Sequence, residues 1–203
     1  MDDFIARQAR PQIFNLKPYV PGKPIDEVKR ELGLTDVIKM ASNENPLGAA
    51  PLAKQAIMKY LDDIHLYPDS SCYDLKAKLA SKLNIGPDCI AVGNGSDEIL
   101  KMLAEAFINP DDEVILPYPT FSEYEFVGTV MGAKCIKVPL RNNTHDLKAM
   151  LEHVNPRTKV IVICNPNNPT GTIVSGQALR EFAKELPQDV LLVVDEAYSE
   201  YVD

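Results

Sequence analysis

Residues 159–171 read KVIVICNPNNPTG, and this stretch decides the fold. The run from Lys159 to Cys164 is β-favouring and almost entirely apolar, with no polar alternation along it. A strand of that composition needs cover on both faces, which is the position of a central strand in a parallel sheet. Immediately afterwards the chain meets Pro166 and Pro169, which fix the loop backbone around Asn167 and Asn168. Loops at the carboxyl ends of parallel strands are where α/β proteins hold their ligands.

Outward from this stretch the pattern recurs. VLLVVD at 190–195 is a second central-type strand, and CIAV at 89–92, EVIL at 113–116 and KCIKV at 134–138 are shorter β-rich runs. Between them the periodicity turns helical, starting near Pro51 and continuing at 71–83, 96–108, 121–131, 146–152 and 175–185. In 96–108 the residues Ile99, Met102, Leu103, Ala106 and Phe107 recur at helical spacing and form one apolar stripe. Strands alternating with helices predict a three-layer α/β/α sandwich around a mostly parallel sheet. Residues 1–30 carry Pro11, Pro18, Pro21 and Pro24, which exclude one continuous helix and predict an extended arm; residues 31–203 then form the globular part.

Composition narrows the function. With a net charge of −8 over 203 residues, the chain lacks the clustered cations that nucleic-acid binding requires. Cys72, Cys89, Cys135 and Cys164 match neither a zinc spacing nor a Cys-x-x-Cys pair, and His65, His145 and His153 form no helical ligand pair. All seven read as structural residues, and no metal is expected. No apolar run reaches the roughly 20 residues a bilayer demands, and MDDFIARQARPQ is too polar for a secretory signal, so a cytoplasmic location is expected.

Four motifs carry chemistry, and each has a plainer reading. In GNGSDE at 93–98, Gly93 and Gly95 permit a tight turn into a helix whose free amides at Ser96 and Asp97 can grip a phosphate; alternatively Ser96 is only an N-cap. In NPNNPTG the two asparagines offer amide donors, or make an ordinary turn. Asp195 ends an apolar strand, so its carboxylate needs a cationic or protonated partner such as a pyridine nitrogen, with Tyr198 near the ring's phenolic oxygen; otherwise Asp195 caps a turn. In YPTF at 118–121, Phe121 either stacks on a flat ligand or packs in the core. All four follow strands and so share one sheet edge.

Together with LKPYVPGKP (16–24), KMASNENPLG (39–48) and YPD (67–69), these motifs resemble the fold type I aminotransferases, and within them the histidinol-phosphate aminotransferase family. The resemblance implies pyridoxal 5'-phosphate as cofactor, in the large domain of that fold, and a homodimer with shared active sites. It implies that amides at Gly95, Ser96 and Asp97 hold the phosphate, that Tyr67 reaches the partner's cofactor, and that Phe121 stacks on the ring. Asn168 and Tyr198 would bond the ring oxygen, and Asp195 the ring nitrogen. Tyr19 and Asn45 would line the substrate side. The implied reaction moves an amino group between glutamate and imidazole-acetol phosphate, with histidinol phosphate as the amino form. An aromatic aminotransferase and a Rossmann-type nucleotide module are the alternatives, the latter lacking the spaced G-x-G-x-x-G. The family's cofactor-bearing lysine follows the matching aspartate by a few tens of residues. No lysine follows Lys184 here, so 31–203 is expected to be an incomplete large domain in a truncated chain that holds no catalytic lysine and does not turn over alone.

Overall fold

Six-residue strand β1 (Glu113–Tyr118) is the first of four parallel strands, followed by β2 (Lys134–Pro139), β3 (Thr158–Cys164) and β4 (Leu191–Asp195). The structure, a computed structural model, describes residues 3–16 and 22–202. By contacts the chain divides into two compact units, one of Val20–Ala91 and one of Met1–Tyr19 with Val92–Asp203.

In the second of these the sheet order is β2-β1-β3-β4. Pairing is in register along β1 and β2, from Glu113 opposite Lys134 to Tyr118 opposite Pro139, and β3 meets β4 from Val160 opposite Leu191 to Cys164 opposite Asp195. Parallel strands alternate their side chains between two faces, and here both faces are buried. On one, Val114, Leu116, Val160, Val162 and Cys164 meet Leu100, Ala104 and Ile108 of helix α5 (Gly95–Phe107) and its C-cap, and Tyr124 of α6 (Glu123–Met131). On the other, Ile115, Ile161, Ile163 and Val138 meet Met150 of α7 (Leu147–Glu152) and Phe182 of α8 (Gly176–Glu185). The sandwich expected from alternating periodicities is therefore present. Helices α1 to α4 span Asp3–Gln8, Ile25–Leu32, Pro51–Lys59 and Tyr73–Leu83.

Helix ends follow local chemistry. Ser175 caps α8 by accepting from the Ala178 amide at 3.1 Å, and Asp146 caps α7 by accepting from the Ala149 amide at 3.2 Å. Gly132 closes α6 at φ +86°, a conformation that a side chain would strain.

Two expectations need correction. Residues 1–30 are not an extended arm: α1 occupies Asp3–Gln8, a 3-10 turn occupies Pro11–Asn15, and α2 begins at Ile25. Proline is excluded from helix interiors but suits first turns, and Pro11 opens the 3-10 turn while Pro24 stands just ahead of α2. Among the described residues, Pro11 and Pro24 thus stand at the starts of short helical pieces. Residues 89–92 are not a strand either. Ile90 has extended angles, yet no described strand lies alongside to complete a ladder, and a 3-10 turn ends at Cys89.

At the amino edge of the sheet, Glu113 is only 3% exposed yet charged. Asn155 Nδ2 donates to it at 2.7 Å, Arg157 Nη2 and Nε at 2.9 and 3.2 Å, and Lys134 Nζ lies 3.6 Å away. The Asn155 bond, with Arg157 beside it, holds the Glu113 carboxyl below its ordinary value against the effect of burial. The unfolded chain therefore binds this proton more readily, so stability from Glu113 is complete above about pH 4.5 and is lost as pH falls through the depressed native value. Urea midpoints measured from pH 6 down to pH 3 should fall less steeply for Glu113→Gln than for the wild type. In the apolar core, Ile161→Ala should cost about 3 kcal/mol by chemical denaturation, because Ile161 is fully buried between α7, α8 and the sheet.

Candidate active site

Strand order makes the site. The chain leaves β1 into α6 on one face and leaves β3 into α8 on the other, although β1 and β3 are hydrogen-bonded neighbours. Where adjacent strands send their connections to opposite faces, a crevice opens beyond their carboxyl ends. The loops after β1, β3 and β4 all border it.

A shallow cavity there is lined by Ser96, Phe121, Tyr124, Cys164, Asn168, Asp195, Ala197 and Tyr198. It thus brings together the start of α5 with the ends of three strands, and five residues singled out from sequence (Ser96, Phe121, Asn168, Asp195 and Tyr198) share it. Gly95 adopts φ +79° at the first position of α5, turning the chain into the helix. No side chain caps that end, because Asn94 makes no capping bond and Glu98 instead reaches back to the Asn94 amide. The Gly95 amide donates to the Gly93 carbonyl at 3.0 Å, which leaves the amides of Ser96 and Asp97 for an anion. Asp97 lines a different hollow, about 500 Å³ between α5 and α6, together with apolar Phe126, Val127, Val130 and Met131 and with charged Glu98, Lys101, Glu105 and Glu123.

Asp195 is half-buried. Its Oδ2 accepts from the Tyr124 hydroxyl at 2.7 Å and its Oδ1 from the Ala197 amide at 3.0 Å. Both are neutral donors, and among the described residues no cation pairs with this carboxylate. Phe121 stands edge-on to Tyr124, with centroids 5.6 Å apart and planes at 81°. Burial first, then Cys164 and Asp195, push the Tyr124 hydroxyl far above its ordinary value, so it stays protonated and donates. Cys164, buried beside it, is also pushed up, chiefly by burial, and its thiol donates to the Pro166 carbonyl at 3.3 Å.

Asn167, expected as a ligand donor with Asn168, is instead 2% exposed and braces the loop. Its Oδ1 accepts from Thr120 at 2.8 Å, and its Nδ2 donates to the Pro119 carbonyl at 3.2 Å and to Thr170 at 2.9 Å. One asparagine therefore locks the β1 and β3 loops together while the next faces the cavity. The Asn-Asn doublet alone does not say which does which. Tyr124 escaped sequence reading altogether; it lies in the first turn of α6, three residues after Phe121, which precedes that helix. Asn45 and Tyr67 belong to the Val20–Ala91 unit, where both are exposed and the Asn45 side chain accepts from the Leu47 amide at 2.9 Å. Tyr19 lies outside the described residues. Among the described residues no cluster suited to a metal ion occurs, and no helix is long and apolar enough to cross a membrane.

The pattern of the aminotransferase class I and II family matches residues 35–203, and the chain belongs to that family. Among curated proteins it is 59% identical to histidinol-phosphate aminotransferase of Moorella thermoacetica, over 96% of this chain and 50% of that protein. It is 56% identical to the protein of the same name from Caldicellulosiruptor saccharolyticus, over 96% of this chain and 54% of that one. Among solved structures it resembles histidinol-phosphate aminotransferase from Sinorhizobium meliloti in complex with pyridoxal-5'-phosphate, with a TM-score of 0.87 and 27% identity, covering 97% of this chain and 52% of that one. A Thermus thermophilus aspartate aminotransferase double mutant shares the fold at a TM-score of 0.79 and 24% identity, covering 95% of this chain and 54% of that one. The chain spans about half the length of the curated relatives it matches.

One buried group near the site has no evident task. His145 is 7% exposed and both its ring nitrogens lack a hydrogen-bond partner. Burial holds it below its ordinary value, an effect the neighbouring Asn167 side chain only partly offsets. A histidine buried neutral binds its proton better in the unfolded chain, so stability is complete above the unfolded value of about 6.5 and declines as pH falls below it. His145→Phe should raise the thermal midpoint at pH 5.5 by more than at pH 8, since it removes an unsatisfied buried polar group and its titration together.

Proposed function

We propose that this chain supplies the cofactor cradle of a pyridoxal-phosphate-dependent aminotransferase, acting on histidinol phosphate and glutamate in histidine biosynthesis. The observation that carries the reading is the single cavity bordered by Ser96, Phe121, Asn168, Asp195 and Tyr198. Its donor set fits the cofactor: uncapped helix amides for a phosphate, a carboxylate without a cationic partner for a protonated ring nitrogen, and an aromatic edge for a flat ring. The names of the relatives support the substrate.

When bound, pyridoxal phosphate supplies an electron sink for charge developing at the substrate's α-carbon. The chain's part is to hold and polarise. The amides of Ser96 and Asp97 would hold the phosphate, aided by the positive end of the α5 dipole, with Gly95 at φ +79° turning the chain so that they face it. Asp195 keeps the ring nitrogen protonated, and a charge-assisted bond of that kind is about twice as strong as a neutral one. Asn168 and Tyr198 donate to the ring oxygen, and Phe121 covers a ring face and excludes water. In a homodimer with shared sites, Tyr67 reaches the partner's cofactor phosphate, while Tyr19 and Asn45 line the substrate side. The lysine that bears the cofactor and moves the α-proton, and the arginine that binds the substrate carboxylate, belong in this reading to the half of the relatives' length that the chain does not span. A cytoplasmic setting suits such a biosynthetic step.

In a chain of the relatives' full length carrying this segment, Asp195→Asn should lower kcat by roughly a hundredfold or more, because the lost charge acts as the transition state forms. Turnover of histidinol phosphate should exceed that of phenylalanine. The reverse preference would assign an aromatic aminotransferase, and absence of pyridoxal phosphate binding would overturn the reading entirely.

A further inference from the structure

Tyr124 is not among the residues that the resemblance marks as cofactor contacts, yet it is the most deeply buried polar side chain bordering the cavity, at 1% exposure. Three contacts converge on it. Its hydroxyl donates to Asp195 Oδ2 at 2.7 Å, its ring takes the edge of Phe121, and Cys164 lies beside its hydroxyl. The rest of the ring is sealed in the core formed by α5, α6 and the sheet. A hydroxyl anchored by so large a buried ring cannot swing away, so it dictates where Asp195 Oδ2 points.

The other oxygen is held by the Ala197 amide at 3.0 Å, which belongs to the same turn and moves with it. Only Tyr124 ties the carboxylate to a different element of the fold. We propose that Tyr124 is a positioning residue: it fixes the Asp195 carboxylate so that its remaining lone pairs face the ring nitrogen of the cofactor. This rests on the reading of Asp195 given above. Because a buried hydroxyl beside a carboxylate remains protonated, the hold persists throughout the working pH range. The same ring orients Phe121, so one side chain aligns both the carboxylate and the stacking aromatic, and replacing only the hydroxyl separates the two tasks.

The test uses a chain of the relatives' full length and measures affinity by absorbance titration with pyridoxal phosphate and with its 1-deaza analogue, in which a carbon replaces the ring nitrogen. Tyr124→Phe keeps the ring and its contact with Phe121 while removing the donor. It should weaken pyridoxal phosphate binding by about tenfold, the worth of a hydrogen bond to a charged group, and leave binding of the deaza analogue unchanged. A merely structural role would weaken both ligands equally, and that result would overturn the proposal, as would no change for either. Asp195→Asn should show the same selectivity, and adding Tyr124→Phe to it should change nothing further, which tests the coupling even if the single tyrosine variant is unstable. If Asp195→Asn also fails to discriminate the two ligands, the error lies in the assignment of Asp195 and not in that of Tyr124.

Discussion

The hydrogen-bonded ladder between β1 and β3 carries the rest of the structure. These two strands are neighbours whose connections depart to opposite faces of the sheet. Each face is covered by its own apolar layer, one with α5 and α6, the other with α7 and α8. The loops beyond the strands must part there, and parting creates the crevice. Were β1 and β3 to slip by one residue, Val114 and Ile115 would exchange faces, and both layers would lose their fit.

The two ends of the sheet solve different problems. At the amino edge, Glu113 is surrounded by Asn155, Arg157 and Lys134, so its charge is fully answered within the protein. At the carboxyl edge, the donors to the Asp195 carboxylate among the described residues are neutral, Tyr124 and Ala197. A partly buried carboxylate without a cation is costly unless something else supplies the charge. The contrast between two acids in one sheet separates a carboxylate answered by cations from one answered by neutral donors.

Much of this was legible in the sequence. The strands at 159–164 and 190–195 carry nearly continuous apolar runs, which report burial on both faces, while 113–116 and 134–138 were legible only as short β-rich runs. Helix 96–108 was readable from its apolar stripe. What escaped depended on neighbours distant in the chain. Residues 89–92 have strand composition, yet a strand exists only with a partner to bond. The prolines of residues 1–30 forbid one long helix but not several short ones. In the site, the motifs gave Ser96, Phe121, Asn168, Asp195 and Tyr198. The division of labour between Asn167 and Asn168 depends on Thr120 and Pro119, more than forty residues away in sequence. Tyr124 likewise acquires its role only because α6 folds back against the end of β4, 71 residues further along the chain.

Every wall of the strand-end cavity comes from one continuous stretch, Ser96 to Tyr198. A ribosome releases chain from the amino end, and domains tend to fold as their residues emerge. The cradle's walls therefore leave the exit tunnel in order, the helix start first and the carboxylate last. Tyr124 precedes Asp195 by 71 residues, so the donor for the acid at the end of β4 is synthesised before the acid itself.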